Sequence, residues 1–377
     1  MIAADLFLNS CYKFGIRFFT GVPDSLLQDF CTCLDTCCLP LTHVVAANEG
    51  GAVALATGHY LATQSPALVY MQNSGQGNAA NPLLSLADPE IYGIPMLMLV
   101  GWRGEPGGKD EPQHVKQGRV TRALFETMEI PVEVLTTIPE GIEGQLQRLI
   151  EKASEESRPV ALMVRKGTFE RFRPTKVVES SYPLVRERVI EEVLKILPEE
   201  TVFVSSTGHI SRELYEIRVR QGKAIDHDFL TVGSMGHASQ IALGIALSSR
   251  YRRVCCLDGD GAVLMHMGAM ALVGQAPCPN YIHIVLNNGA HGSVGGQATI
   301  GFKVSLTTIA QGCGYKHVFK IEALAELKEV LCHLEKTDGP VFLEVRLGSA
   351  VRANLGRPQS GPADNKRAFM AVLAGGY

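Results

Sequence analysis

The sequence predicts an α/β protein made of two doubly wound parallel-sheet domains. Short apolar segments alternate with amphipathic ones through both halves of the 377-residue chain, as strands alternate with helices in such sheets. A polar, proline-bearing stretch at 166–181 interrupts this alternation near the middle. The length is sufficient for two domains of ordinary size. We therefore predict a first domain over residues 1–168, a linker over 169–184 and a second domain over 185–377.

The first half contains apolar segments that predict buried strands and amphipathic stretches that predict helices. The strands are expected at 16–19, 42–45, 67–71, 95–100 and 160–164, and the helices at 25–37 and 49–62. Short apolar runs with few charges are typical of strands that are buried on both faces of a parallel sheet.

The second half repeats this pattern. Strands are expected at 201–205, 229–232, 254–257, 282–286 and 340–345, and helices at 186–197, 239–249 and 365–373. The same alternation therefore predicts the same architecture for both halves.

Composition and charge exclude several classes of function. With 46% hydrophobic residues, 19% charged residues and a net charge of −3, the chain is expected to bind neither nucleic acid nor an anionic membrane. Its first residues lack the basic and long apolar segments of a signal peptide. No stretch approaches the roughly eighteen apolar residues that are needed to cross a bilayer. We expect a cytoplasmic protein that acts on a small molecule.

Two polar motifs follow two of the predicted strands. Gly259-Asp260-Gly261 comes after the strand at 254–257, and Asn287-Asn288 comes after the strand at 282–286. Open α/β sheets bind ligands at the carboxyl ends of their strands. Carboxylate and amide oxygens suit Mg²⁺ or Ca²⁺, which phosphate oxygens and water usually complete, and glycines let a diphosphate approach the backbone. The sequence therefore predicts a metal-anchored diphosphate cofactor.

This pair of motifs resembles the cofactor motif of the thiamin diphosphate enzymes, which runs from Gly-Asp-Gly to Asn-Asn over about this distance. The resemblance implies the thiamin diphosphate-binding fold for both domains, with thiamin diphosphate and Mg²⁺ as cofactors. It implies that the side chains of Asp260 and Asn288 and the carbonyl of Ala290 bind the metal, and that Gly259, Gly261 and Ala262 contact the cofactor. The alternative is two ordinary turns after strands, since Asp-Gly is common in turns.

A carboxylate in the first half, Glu49, begins a predicted helix that is rich in small residues. On the same resemblance, Glu49 contacts the pyrimidine ring nitrogen of the cofactor and favours its imino tautomer, which then removes the proton of the thiazolium carbon. The alternative is a carboxylate that only complements the dipole at the helix N-terminus.

Two further segments match the family's cofactor contacts. Met235 corresponds to the apolar wedge that bends the cofactor, and Gly233 to the carbonyl that accepts a hydrogen bond from the aminopyrimidine. Thr207 and Gly208 correspond to a turn that contacts the diphosphate. His209 follows them and either faces the cofactor or caps a helix. The alternative for Met235 is an ordinary core methionine.

The resemblance also implies an oligomer. Glu49 lies in the first half and the metal ligands lie in the second, yet all of them must reach one cofactor. In this family the two domains usually come from different subunits. We therefore expect a homo-oligomer, at least a dimer, with active sites at the interface between the two kinds of domain.

Within the family, the chain looks like the phosphonopyruvate decarboxylases, with sulfopyruvate decarboxylases as nearest relatives. The short linker leaves no central third domain, and Val294 stands where simple pyruvate decarboxylases carry a glutamate. Gly292 and Asn354 depart from the expected glutamate and aspartate. The segments that carry the resemblance are 20–25, 110–114, 207–214, 287–291 and 355–358.

The implied reaction is the non-oxidative decarboxylation of 3-phosphonopyruvate to phosphonoacetaldehyde and CO₂. The alternatives are the same reaction on 3-sulfopyruvate and, less favoured, the reaction of another 2-oxo acid decarboxylase or of a carboligase. Proton transfers are expected from Asp24, Ser25, His114 and His291. Asp24 and Ser25 could instead cap a helix, and His114 could be a surface residue. Five cations are candidates for the phosphonate, namely Arg103, Lys109, Lys303, Arg352 and Arg357.

A nucleotide- or dinucleotide-binding module without lyase chemistry is the alternative from a different class. It is disfavoured because no G-x-G-x-x-G follows a first strand with an acidic residue some twenty positions on.

Overall fold

The computed structural model describes residues 1–173, 182–334, 337–352 and 354–375. The chain divides into two compact units, one comprising residues 1–177 with 294–297 and the other comprising 178–293 with 298–377. Half of the predicted linker, residues 174–181, lies outside the described residues. At its two ends, Phe169 packs in the core of the first unit and Leu184 packs in the core of the second.

The first unit is an α/β sandwich around a parallel sheet. Among its described residues, the sheet has six strands in the order β2-β1-β3-β4-β6-β5. Helices and strands follow one another as α1 (Ala4–Lys13), β1 (Phe18–Gly21), α2 (Gln28–Thr36), β2 (Thr42–Val45), α3 (Glu49–Thr63), β3 (Ala67–Gln72), α4 (Gln76–Pro82), β4 (Met96–Gly101), α5 (Pro112–Thr127), β5 (Val132–Val134), α6 (Pro139–Glu155) and β6 (Pro159–Val164).

The second unit has the same type of architecture. Its described residues form a six-stranded parallel sheet in the order β11-β12-β10-β9-β7-β8. The elements are α7 (Arg186–Ile196), β7 (Val202–Ser205), α8 (His209–Arg220), β8 (Asp228–Leu230), α9 (Ala238–Ser248), β9 (Val254–Gly259), α10 (Asp260–Met265), α11 (Ala269–Gln275), β10 (Tyr281–Asn287), α12 (Leu306–Cys313), β11 (His317–Ile321), α13 (Leu324–Leu334), β12 (Val341–Arg346) and α14 (Pro362–Ala374).

The predicted fold class, two parallel α/β sheets, is confirmed. The central strands β3, β4, β6, β10 and β12 are buried almost throughout, as expected for parallel sheets with both faces covered. Two separate apolar layers pack against each sheet, one on either face. Each strand identified from the sequence is present to within a few residues.

The strand order fixes where a ligand site can form in each unit. The chain leaves β1 in one direction to β2 and later returns to its other side at β3, and it likewise leaves β7 for β8 and returns at β9. Such switch points open a crevice at the carboxyl ends of the strands. The candidate residues lie in the segments after β1, β2 and β4 in the first unit and after β7, β8, β9 and β10 in the second. In the described part of the chain, no helix is long and apolar enough to span a membrane.

Candidate active site

Glu49 is a buried carboxylate at the first position of α3. Its side chain is only 5% exposed, and its Oε2 accepts a hydrogen bond of 2.7 Å from Asn78 Nδ2. The helix is capped by Asn48, whose Oδ1 accepts from the Gly51 N–H at 2.8 Å. A Cβ on Gly75 would lie 2.6 Å from Glu49 Oε1. Because Asn48 provides the cap and Glu49 is buried, this carboxylate is not a simple solvent-exposed helix-end charge.

Asp24 lies in the turn after β1 and is fully buried. Its oxygens accept hydrogen bonds from Gln72 Nε2 at 2.6 Å and from the Leu26 N–H at 2.9 Å. Burial raises the pKa of Asp24, although the bond from Gln72 opposes this shift. A Cβ on Gly101 would lie 2.1 Å from Asp24 Oδ2, so only glycine fits at the end of β4. Since α2 begins at Gln28, neither Asp24 nor Ser25 is its N-cap.

The Arg103 guanidinium is bonded to Ser25, one of the predicted catalytic residues of the first unit, and to Asp110. Its Nη1 donates to Ser25 Oγ at 2.8 Å, and its Nε donates to Asp110 Oδ2 at 2.8 Å. A second bond, from Nη2 to Asp110 Oδ1, completes a bidentate pair. His114, in the first turn of α5, is buried rather than on the surface. Its burial, helped by the charge of Arg103, lowers the pKa of His114 to about 4.

In the second unit, Asp260, Asn288 and Ala290 converge. Asp260 is 1% exposed, and burial raises its pKa to about 6. One terminal atom of the Asn288 amide lies 2.9 Å from the Ala290 carbonyl oxygen and 3.2 Å from Asp260 Oδ1. With its nitrogen turned toward them, the amide donates to both oxygens. With its oxygen turned toward them, three oxygens face one point, and this donor set fits a hard divalent cation.

Two residues that sequence reasoning missed support this cluster from a later segment. The Thr299 hydroxyl donates to Asp260 Oδ2, and the Thr299 N–H donates to the Gly289 carbonyl at 2.8 Å. A Cβ on Gly301 would lie 2.5 Å from Asp260 Oδ2, so glycine is required there. No signal identified them, because the segment has neither strand nor helix periodicity and contacts Asp260 only in the folded chain.

The turn after β7 carries the residues expected to meet the diphosphate. Thr207 Oγ1 accepts a hydrogen bond of 3.0 Å from the Gly233 N–H, which joins this turn to the one after β8. Gly208 has φ +95°, which a residue other than glycine rarely adopts. His209 is the first residue of α8, and its Nδ1 is buried without a hydrogen-bond partner among the described residues. Burial, with Arg186 and Arg212, lowers the pKa of His209 to about 4.

Met235 and His291 both lie against the Gly-Asp-Gly turn. A Cβ built on Gly261 would lie 2.9 Å from His291 Cε1 and 3.3 Å from Met235 Cε. Burial lowers the pKa of His291 to about 4, so its imidazole is neutral at pH 7. Met235 and His291 therefore both lie beside the predicted metal-binding turn, next to Gly261.

The candidate phosphonate-binding cations differ in their surroundings. Arg352 forms ion pairs with Glu187, at 2.9 Å, and with Glu216. Lys109 and Lys303 are exposed. The segment that contains Arg357 is held by Arg212, which donates to the carbonyls of Leu355 and Gly356. Arg103 is bonded to a predicted catalytic residue, Ser25.

Comparisons with known proteins bear on these sites. The N-terminal TPP binding domain of the thiamine pyrophosphate enzymes matches residues 1–124, and their C-terminal TPP binding domain matches residues 207–345. A phosphonopyruvate decarboxylase of Streptomyces hygroscopicus is 34% identical over 98% of this chain and 93% of its own length. The chain belongs to the thiamine pyrophosphate enzyme family. The resemblance to the thiamin diphosphate enzymes that the sequence indicated is therefore confirmed.

Two other relatives show how far the likeness extends within the family. A phosphonopyruvate decarboxylase of Streptomyces viridochromogenes is 33% identical over 98% of this chain and 94% of its own length. A sulfopyruvate decarboxylase of Methanosarcina acetivorans is 28% identical over 73% of this chain and 74% of its own length. The match to the phosphonopyruvate decarboxylases thus covers both units, which agrees with the absence of a long insertion between them in the sequence.

Proposed function

We propose that this thiamin diphosphate enzyme decarboxylates 3-phosphonopyruvate to phosphonoacetaldehyde and CO₂ in phosphonate biosynthesis. The observation that carries the proposal is the convergence of Asp260, Asn288 and the Ala290 carbonyl on one point at the carboxyl edge of the second sheet. It occurs in a chain that aligns with phosphonopyruvate decarboxylases over 98% of its length.

The cofactor and metal are assigned to these residues as follows. Asp260, Asn288 and the Ala290 carbonyl would hold Mg²⁺. Thr207, Gly208 and His209 would contact the diphosphate, and the unpartnered Nδ1 of His209 supports this because a buried polar atom normally has a partner. Gly233, Met235, Gly259, Gly261 and Ala262 would supply the remaining contacts to the cofactor.

When bound, thiamin diphosphate supplies a nucleophilic carbon and accepts the electron pair that CO₂ leaves behind. Glu49 would exchange a proton with the aminopyrimidine, and its bond to Asn78 holds the carboxylate in place. His114 and His291 are neutral at pH 7 and would take part in proton transfers as imidazoles. Asp24, whose pKa is raised by burial, would be the proton donor during product formation.

We further propose a homo-oligomer, at least a dimer, in which Glu49 and the metal ligands of one site come from different subunits. A cytoplasmic location remains a prediction from the sequence. Size-exclusion chromatography with light scattering tests the assembly, and a monomer with full activity would contradict it.

The substrate is tested by steady-state decarboxylation with added thiamin diphosphate and Mg²⁺. We expect kcat/KM for phosphonopyruvate to exceed that for sulfopyruvate and for pyruvate by more than about tenfold. A preference for sulfopyruvate would favour the second candidate, which the 28% identical sulfopyruvate decarboxylase supports. NAD(P) instead of thiamin diphosphate in the denatured protein would refute the proposal altogether.

A further inference from the structure

Arg103 lies at the carboxyl edge of the first sheet, two residues after β4 ends at Gly101. Its guanidinium donates to the hydroxyl of Ser25, which follows β1. The strands β1, β3 and β4 are neighbours in the sheet. A fixed cation therefore lies at the edge where sheets of this type bind their ligands.

The guanidinium is held in a single orientation. Asp110 binds its Nε and Nη2 atoms, and the same carboxylate accepts the N–H groups of Gly104 and Glu111 at 2.8 Å each. These hydrogen bonds, chiefly those from Arg103, lower the pKa of Asp110 despite its partial burial. The Arg103 and Asp110 side chains are 17% and 16% exposed. The pair is thus ionised and largely shielded from solvent.

Two N–H donors of this guanidinium are left for a ligand. Arginine has five N–H donors in one plane, and the bonds to Asp110 and Ser25 use three of them. Among the described residues, the side chain has no other hydrogen-bond partner. One remaining donor belongs to Nη1 and one to Nη2, and both are available to oxygens of an anion. The Ser25 hydroxyl accepts from Nη1 and can itself donate to a further oxygen.

The charged groups that act on Arg103 are Asp110, Asp24 and Glu111. The negative charge of Asp110 is shared among four N–H donors, so it compensates Arg103 only in part. Burial raises the pKa of Asp24, which weakens its repulsion of an anion. By contrast, Arg352 is already paired with two glutamates. Arg103, in contrast, is preoriented by Asp110 and still has donors available.

We propose that Arg103, oriented by Asp110 and assisted by Ser25, binds the tetrahedral anionic group on C3 of the substrate, a phosphonate or a sulfonate. This inference rests on the proposed function, since it concerns the recognition of that substrate. Arg103 then determines specificity: it binds substrates that carry the anionic group and contributes little to pyruvate, which has none.

The experiment compares kcat/KM for phosphonopyruvate and for pyruvate in the holoenzyme and in the Arg103→Gln variant. We expect a loss of about a hundredfold with phosphonopyruvate, because charge-assisted hydrogen bonds are lost, and less than about a threefold change with pyruvate. Arg165→Gln is the matched control, since Arg165 pairs with Glu105 of the same loop at 2.7 Å but is 53% exposed. This control should keep the wild-type ratio of kcat/KM for phosphonopyruvate to kcat/KM for pyruvate.

The outcomes separate the two proposals. A wild-type enzyme without preference for phosphonopyruvate overturns the proposed function. A wild-type preference that Arg103→Gln retains, or an equal loss on both substrates, overturns only the assignment of Arg103, because an equal loss indicates a structural role. If Arg103→Gln does not fold, Arg103→Lys replaces it in the comparison, because lysine keeps the charge but lacks the planar set of N–H donors. The ratio should then fall about tenfold, and an unchanged ratio overturns the assignment.

Discussion

Substitution of Gly75 by alanine tests the position of Glu49 without touching its chemistry. A Cβ at Gly75 would lie 2.5 Å from Glu49 Cγ, 2.6 Å from Oε1 and 2.7 Å from Cδ. Carbon atoms normally stay about 3.5 Å apart or more, so the overlap is about 1 Å. Gly75 itself has φ −70°, which alanine adopts without strain. The side chain of Glu49 must therefore move.

The size of the effect follows from what Glu49 loses when it moves. Overpacking typically costs about 1–3 kcal/mol of stability, and loss of the Asn78 bond to a charged group costs about as much. A displacement of about 1 Å at a catalytic group can reduce turnover about a hundredfold. We thus expect Gly75→Ala to lower kcat by about that factor while the melting temperature falls by only a few degrees.

The assay measures kcat, thiamin diphosphate affinity and thermal unfolding of Gly75→Ala beside Gly77→Ala. Gly77 is the matched control, because it lies two residues later in α4, whose N-cap is Gly75, and its Cβ would meet nothing within 4 Å. If both variants turn over substrate at similar rates, Glu49 does not need its observed position and the reasoning fails.

Three further outcomes are expected. Glu49→Gln should bind thiamin diphosphate with near-normal affinity but lose about 10²–10⁴-fold in turnover; near-native turnover would remove Glu49 from its role. Asp260→Ala should abolish Mg²⁺-dependent cofactor binding in calorimetry, with Thr299→Val weakening it less, and unchanged binding would refute the ligand assignment. The contribution of His114, His209 and His291 to the free energy of unfolding should fall as the pH drops from about 6.5 to about 4, because their folded pKa values are about 4 and they gain protons on unfolding. Asp260 and Asp228, with folded pKa values of about 6, contribute in the opposite direction, so the wild type is compared with a histidine variant. Denaturant titrations at several pH values measure the slope of the free energy of unfolding against pH. This slope should be less positive in His291→Gln than in the wild type, and an unchanged slope would contradict the lowered pKa of His291.

The residues that the sequence identified are those whose signal is local. Asp260 and Asn288 stand directly after apolar strands, so their position at a sheet edge follows from the pattern of their own neighbours. Glu49 was identified only through family resemblance, but its place at a helix start was readable from the small residues that follow. The fold class was predictable for the same reason, since alternation of segments is a property of short stretches of sequence.

The contacts that could not be predicted from the sequence are those between residues that lie far apart along the chain. Gly75 and Asn78 shape the surroundings of Glu49, and Thr299 donates to Asp260 from 39 residues away. The helix expected from residue 25 begins instead at Gln28, because Asp24 bonds to the Leu26 N–H and holds a turn there. None of these contacts leaves a periodic pattern, so propensity and spacing could not reveal them.

The amide of Asn288 has a consequence for how the holoenzyme assembles. Without a cation, its nitrogen can donate to the Ala290 carbonyl and to Asp260, so the apoenzyme need not leave these oxygens unsatisfied. An amide nitrogen offers no electron pair to a cation, so metal binding at this point requires the orientation in which the Asn288 oxygen faces the Ala290 carbonyl and Asp260.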